Sequence, residues 1–280
     1  MTEPGKTKED EQSWKQLYSD MLFWEFDGNP SQDSVRSAVG FMQGALALAK
    51  GARVLDLGCG LGQHSIELAK GGYMVTGLEW STPYLEVAVR KADEAGVAVA
   101  FIQGDMTMMT FRREFDAVIL WGNTFGMFPH EENVATLRGV CEALKKGGRA
   151  LIDTQNYTAL PARLERGWSF AEGNENLLFL SEGTCDVRQA RFGFDVLAID
   201  LAKGQRHRMP YSWRLYLLPE LEQMVAQAGL ELLGVYGDDP AYVDWKSWRQ
   251  GEPYPYEAEG FTDKAAKRIL LCGPEPGGLA

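Results

Sequence analysis

Three glycines recur at every second position in the run VLDLGCGLGQHS, as Gly58, Gly60 and Gly62, between a short apolar segment and a helix-compatible one. Glycine permits backbone geometry closed to other residues and lets a ligand approach the main chain. A turn of this kind at the carboxyl end of a strand is where doubly wound sheets hold their ligands. The spacing here is GxGxG, so the third glycine arrives one residue too early for the GxGxxG pyrophosphate fingerprint. Two carboxylates follow at the ends of the next two apolar segments, Glu79 after YMVTGL and Asp105 after VAVAFIQG. One carboxylate can accept both hydroxyls of a ribose, and another can accept from an exocyclic adenine amine. Together these residues suit an adenosyl group that carries no phosphate. Taken singly, the glycines fit a ligand-free turn, and Glu79 and Asp105 fit helix N-caps. Cys59 reads as a small packing residue and not as a nucleophile.

The elements that must position these groups follow from hydrophobic periodicity. Apolar runs at Arg53–Leu57, Tyr73–Leu78, Val97–Ile102, Phe115–Leu120 and Arg149–Thr154 alternate with helical segments at 62–71, 81–95 and 131–146. That alternation predicts an α/β fold with a parallel sheet covered on both faces. Two helices are expected ahead of it, Trp14–Trp24 and Val35–Leu48, in a helical segment over 1–50. The core spans 51–155. The interval 156–216 breaks the rhythm: Leu177–Gly183, Cys185–Ile199 and Gln205–Tyr216 alternate in character, with a turn at Lys203-Gly204, as in an antiparallel β lid. Residues 217–280 return to the core with a helix, Pro219–Ala228, and strands at Leu230–Tyr236 and Arg268–Cys272, separated by a long loop, 237–264.

A net charge of −11 over 280 residues, with 45% hydrophobic residues, describes a globular chain ill-suited to nucleic acid or anionic membrane surfaces. Its four cysteines are scattered, without a CxxC pair, and read as reduced thiols. The opening MTEPGKTKEDEQ has no apolar signal core, and no run of about 18 apolar residues occurs. The expectation is a cytoplasmic enzyme.

The ordered motifs VLDLGCGLG, GLEWS and QGDM resemble the first three motifs of the class I S-adenosylmethionine-dependent methyltransferases. The resemblance is strong over about 51–154 and looser over 214–237. It implies a Rossmann-like, seven-stranded, mostly parallel sheet and S-adenosyl-L-methionine as cofactor, with no metal. By the same resemblance Asp56, Gly58, Gly60 and Gly62 hold the methionine part and Glu79 the ribose. Asp105 with the Met106 backbone would hold the adenine, flanked by Trp80, and Trp121, Gly122 and Asn123 line the methyl-transfer position. Glu79 stands where the family usually has aspartate, and the added methylene preserves the acceptor pair.

Asn123-Thr124-Phe125 lacks the two prolines of amino-group DNA methyltransferases, and WGNTFGMF carries no carboxylate for a metal or for an arginine substrate. What remains resembles small-molecule N- or O-methyltransferases of the glycine/sarcosine and amino-sugar type, which insert an antiparallel segment after the fifth strand. Transfer from a sulfonium needs alignment more than a dedicated base, so His130 and Asn123 are only candidates for catalysis. His64 reads as packing near the cofactor and His207 as a surface residue. Pocket candidates are Tyr18 and Trp24 from the leading helices, Asn123, and Tyr211 and Arg214 from the lid. Alternation on one strand sends either Tyr211 with Trp213 or Arg214 with Tyr216 toward the cleft. Arg214 would bind a substrate carboxylate or phosphate, or form a plain salt bridge. The loop 237–264 is expected to cap the pocket or to build a homodimer contact. The alternative from another class is a non-catalytic S-adenosylmethionine-binding protein, and a further rival is a nicotinamide-dependent oxidoreductase.

Overall fold

The computed structural model describes residues 30–156, 166–171, 174–237 and 267–275. Helix α1 (Gln32–Ala45) begins where the Ser31 hydroxyl accepts the Ser34 N–H at 3.1 Å. A serine cap satisfies one of the orphan amides of the first turn, which starts the helix ahead of the expected Val35. The expected helix Trp14–Trp24 lies outside the described residues.

The central strands are apolar on both faces because both faces are covered. Val54, Leu55 and Leu57 of β1 (Arg53–Leu57) and Val118, Ile119 and Leu120 of β4 (Phe115–Leu120) are fully buried. β1 runs parallel to β4 and to β2 (Met74–Glu79), which pairs with β3 (Val99–Gln103). On the other side β4 runs parallel to β5 (Leu144–Gln155). β11 (Lys267–Pro274) inserts antiparallel between β5 and β10 (Leu230–Gly237), giving the order β10-β11-β5-β4-β1-β2-β3. Strand order reverses between β1 and β4, so the crevice at their carboxyl ends is the topological switch point.

α1 and α2 (Gln63–Lys70) cover one face over Val54, Val75, Ile119 and Leu151. α4 (His130–Ala143) and α5 (Leu218–Gln227) cover the other over Leu55, Leu57, Val118 and Leu120. α3 (Thr82–Ala95) packs on β2 and β3, entered by a Ser81 cap and closed by Gly96 in the left-handed region. α4 is shorter than the expected 131–146, because Leu144 is drawn into the core opposite Phe115 and begins β5.

The insertion is an antiparallel meander, as its patterning predicts, with one strand more than was read. Its order is β6 (Arg166–Ala171), β7 (Asn174–Asp186), β8 (Arg191–Asp200), β9 (Gln205–Arg214). The expected break at residue 184 falls inside β7. The turn lies at 187–190, where the Asp186 carboxylate accepts the Arg188 and Gln189 amides. An Asx turn reverses the chain without Gly or Pro, so the usual punctuation is missing. The expected Lys203-Gly204 turn is present, with Asp200 capping Ala202 and Lys203. Among the described residues no helix is long and apolar enough to cross a membrane.

Candidate active site

Gly58, Gly60 and Gly62 all have positive φ, at 67°, 54° and 76°. The Gly58 and Cys59 amides bond back to Leu78 O at 2.8 and 3.2 Å, which folds the turn over the end of β2. Side chains are excluded sterically as well as by φ. A Cβ on Gly58 would lie 2.9 Å from Met106 Cε, and one on Gly62 would lie 2.8 Å from Phe101 Cζ and 3.0 Å from Ala88 Cβ. Gly62 is also the N-cap of α2, so its left-handed geometry sets that helix on its course. Gly62→Ala combines strain with a contact against a packed ring, and we expect a loss of about 2–4 kcal/mol of stability. Chemical denaturation would check this; a loss below about 0.5 kcal/mol would contradict it.

Glu79 closes the same turn. Its Oε2 accepts the Gly60 amide at 3.0 Å and its Oε1 accepts the Ser81 amide at 2.8 Å, in a site where the residue is 6% exposed. Each carboxylate oxygen has more than one lone pair, so both can accept further donors from the cleft. Burial pushes the Glu79 carboxyl above its ordinary range against the pull of those amides. Trp80 is half-buried beside it. Asp105 caps a 3₁₀ turn, Met106–Met108, with Oδ1 accepting the Thr107 amide at 2.9 Å and the Thr107 hydroxyl at 2.7 Å. The N-cap geometry is thus real at Asp105, and it fixes the carboxylate at the rim beyond β3. Met106 turns inward to fill the space under Gly58.

Asp56 ends β1 beneath the glycines and accepts the Ser65 hydroxyl at 2.6 Å. Burial, opposed by that bond and reinforced by Glu79, pushes its carboxyl up to about 7. Protonated Asp56 is therefore favoured by folding relative to an ordinary carboxyl. Its stabilising share is complete below the unfolded value, near 4, and is lost as pH rises through about 7. A bound ammonium group has the opposite preference, for the ionised form. Cys59 lies beside both carboxyls, and burial pushes its thiol well above the usual range, which removes it as a nucleophile.

The loop after β4 forms the facing wall. Gly122 and Asn123 have φ of 99° and 64°, and their amides bond the Asp153 carboxylate at 3.0–3.1 Å. Asp153, fully buried near the end of β5, holds this loop open. Two side-chain oxygens among the described residues are buried without a hydrogen-bond partner: Asn123 Oδ1 and Gln155 Oε1. They stand at the carboxyl ends of neighbouring strands. A buried carbonyl left unpaired is costly, and its natural complement is a donor brought by a ligand. Trp121, half-buried, packs its ring 6.1 Å from Phe41 and 6.5 Å from His64.

The lid is tied to this wall. Trp213 Nε1 donates to Asn123 O, Arg191 donates to Met127 O at 3.0 Å, and the Arg214 amide donates to Gly126 O at 2.6 Å. Tyr211 and Trp213 occupy the inner face, their rings 5.1 Å apart. Arg214 points to α5 instead: it pairs with Glu220 at 3.2 Å and covers the Tyr216 ring at 4.9 Å. His130 opens α4, exposed, with Nδ1 3.3 Å from the Tyr216 hydroxyl. Tyr18, Trp24 and residues 238–264 lie outside the described residues. Sequence reasoning missed Ser65, Asp153 and Gln155. Asp153 had the same signal as Glu79, a carboxylate near the end of an apolar strand. Among the described residues no group of three His, Cys, Asp or Glu is placed to hold a metal ion.

A doubly wound sheet with a glycine turn at its switch point, and an antiparallel β11 inserted beside β5, defines a Rossmann-like fold. Residues 54–148 match the family described as a methyltransferase domain. The cypemycin N-terminal methyltransferase of Streptomyces sp is 33% identical over 215 residues, covering 73% of this chain and 78% of that one. The glycine/sarcosine N-methyltransferase of Aphanothece halophytica is 33% identical over 108 residues, covering 38% and 41%. The CcbJ methyltransferase from Streptomyces caelestis superposes with a TM-score of 0.70 at 22% identity, over 94% of this chain and 98% of that one. The chain belongs to the class I S-adenosylmethionine-dependent methyltransferase family.

Proposed function

We propose that this enzyme methylates the nitrogen of a small-molecule amine. The observation that carries the reading is the pair of buried, unpartnered carbonyl oxygens, Asn123 Oδ1 after β4 and Gln155 Oε1 at the end of the neighbouring β5. A neutral primary amine brings two N–H donors; a carboxylate or phosphate would bring only lone pairs to meet lone pairs. A hydroxyl brings one donor and benefits from a base, whereas His130 is exposed and engaged with Tyr216. The relatives named as N-terminal and glycine/sarcosine N-methyltransferases are named for nitrogen, which supports the same reading.

The bare backbone of the turn and the buried Glu79 fit the cofactor. Asp56 would hold its amino-acid end against the side-chain-free glycine turn, Glu79 its ribose, and Asp105 and the Met106 amide its adenine, with Trp80 flanking the adenine and Trp121 lining the methyl-transfer position. When bound, S-adenosylmethionine would supply a methyl already activated on a sulfonium, so that the amine nitrogen could form its new N–C bond as the S–C bond breaks, leaving S-adenosylhomocysteine and an alkylammonium whose proton passes to solvent. The chain's share is alignment. Asn123 and Gln155 accept the amine N–H groups, turn the lone pair toward the methyl, and stabilise the positive charge that develops on nitrogen. Tyr211 and Trp213 close the cleft from the lid and exclude water.

The ammonium preference of Asp56 gives a pH test. Affinity for S-adenosylhomocysteine is expected to rise about 10-fold from pH 6 to pH 7.5, and Asp56→Asn to flatten the profile. Calorimetric titration across that range would show it, and an equally steep profile in Asp56→Asn would reject the assignment. For the function itself, a panel of amino acids, amino sugars, phenols, carboxylates and thiols assayed for S-adenosylhomocysteine release is the direct test. Turnover confined to amines is expected; turnover confined to phenols or carboxylates overturns the reading.

A further inference from the structure

The loop between β4 and α4 is buried although it is neither helix nor strand: Phe125, Gly126, Met127 and Phe128 are all shielded from water. Main-chain groups taken out of water there need partners that no ladder supplies. Asn133, fully buried near the start of α4, serves two of them. Its Oδ1 accepts the Gly126 amide at 3.2 Å, and its Nδ2 donates to Phe128 O at 2.8 Å. One donor of the carboxamide is left over. It goes to the Tyr216 hydroxyl at 3.1 Å, just past the end of β9, where the lid returns to the core.

A carboxamide offers one acceptor and two donors, and all three find partners here; aspartate would lack the donors and leucine would lack everything. The third bond serves no group of the loop. It joins the loop to the lid. The junction is tight: Gly126, at φ 97°, gives its carbonyl to the Arg214 amide at 2.6 Å, and a Cβ on it would lie 2.9 Å from Arg214 O. The buried Tyr216 ring is held by Phe125 at 6.1 Å and by the Arg214 guanidinium at 4.9 Å, which keeps its hydroxyl on Asn133. The same hydroxyl lies 3.3 Å from His130 Nδ1 at the exposed start of α4.

We propose that Asn133 and Tyr216 are positioning residues for methyl transfer, a latch that sets the loop carrying Asn123 against the strand carrying Trp213. Both act through other residues. Asn133 fixes the loop at Gly126 and Phe128, Tyr216 fixes the end of β9, and across the gap the Trp213 indole donates to Asn123 O. Alignment dominates a displacement whose methyl is already activated, and a misplacement of about 1 Å costs about 100-fold in rate. The glycine turn bonds instead to Leu78 O and the Glu79 carboxylate, so the latch governs the acceptor side and leaves the cofactor side alone. The inference rests on the proposed function only in taking Asn123 as part of the acceptor wall.

Tyr216→Phe removes the hydroxyl, keeps the ring and leaves both loop bonds of Asn133 in place. Rates of S-adenosylhomocysteine release, with the equimolar amines of the panel as acceptors, are divided by the number of sites titrated with S-adenosylhomocysteine, so that unfolded protein does not count. A fall of about 10-fold is expected in Tyr216→Phe and about 100-fold in Asn133→Leu, with KM for S-adenosylmethionine within about 2-fold of wild type. In the Asn133→Leu background Tyr216→Phe should add less than about 2-fold, because the latch is already open. Should Asn133→Leu fail to fold, Tyr216→Phe decides alone. A wild-type rate per site in Tyr216→Phe overturns the proposal, and so does an equal loss of cofactor affinity. NMR relaxation dispersion of the full chain with S-adenosylhomocysteine needs no acceptor: millisecond exchange is expected at the Trp213 indole N–H in Tyr216→Phe, absent in wild type and absent at Gly60 in both. If no amine is turned over, the amine reading falls while this measurement still decides the latch, and a Trp213 profile unchanged from wild type overturns it.

Discussion

Glu79→Gln is expected to weaken S-adenosylmethionine binding by about 100-fold or more. The carboxylate has two duties that glutamine cannot share. Its oxygens accept the Gly60 and Ser81 amides at 3.0 and 2.8 Å, and their remaining lone pairs are assigned to the ribose hydroxyls. Glutamine offers one carbonyl and one NH2, so one backbone amide would meet a donor, and one ribose hydroxyl would lose an acceptor. Hydrogen bonds to charged groups contribute about 1.5–3 kcal/mol each, and the loss of two amounts to roughly 3 kcal/mol or more, hence two decades of affinity. Isothermal titration with S-adenosylmethionine and S-adenosylhomocysteine reads this directly, and a ligand-free melting curve separates loosening of the turn from loss of the diol contact. Affinity within about 3-fold of wild type, equivalent to less than one hydrogen bond, would remove Glu79 from the site.

The second large effect is expected at Asn123 and Gln155. Asn123 has φ +64°, so alanine there would add strain, whereas Asn123→Gly keeps the backbone and removes the side-chain carboxamide. Gln155→Leu removes the other. Each is expected to lower kcat/KM for the amine about 10- to 100-fold, and the pair about 1000-fold, because each oxygen stabilises charge that develops on the nitrogen. Binding of S-adenosylmethionine should remain at wild-type strength in all three variants, since neither oxygen belongs to the glycine turn. Unchanged kcat/KM in the double variant would show that these oxygens do not touch the acceptor. A parallel fall in cofactor affinity would place them on the cofactor instead.

The glycine turn and the two strand-end carboxylates were legible in the sequence because their geometry is local. Gly58, Gly60 and Gly62 need positive φ within one turn, and Glu79 and Asp105 sit at the ends of strands whose apolar patterning is unambiguous. The acceptor half was legible only in part because its contacts are long-range. Gln155 looks like any polar residue at a strand end, and its meaning comes from a buried oxygen left without a partner. Arg214 shows the converse. Its charge suggested an anion site, while six residues on Glu220 waits to cap α5 and takes the guanidinium. Alternation along β9 left two choices of face, and the pairing of β8 with β9 puts Tyr211 and Trp213 on the face that packs with Phe192 and Met127. In the lid, Asp186 makes its turn through a side chain, a signal weaker than the Lys203-Gly204 turn that was read from sequence.

Nitrogen methylation is assigned to the crevice between β1 and β4. Its most direct test is to incubate the enzyme with S-adenosylmethionine bearing a deuterated methyl and a mixture of hydroxylated amines, and to locate the label in the product by NMR. The account predicts the deuterated methyl on nitrogen, formed in step with S-adenosylhomocysteine and lost in the Asn123→Gly/Gln155→Leu variant. A label on oxygen, or label on nitrogen that persists undiminished in that variant, would contradict it.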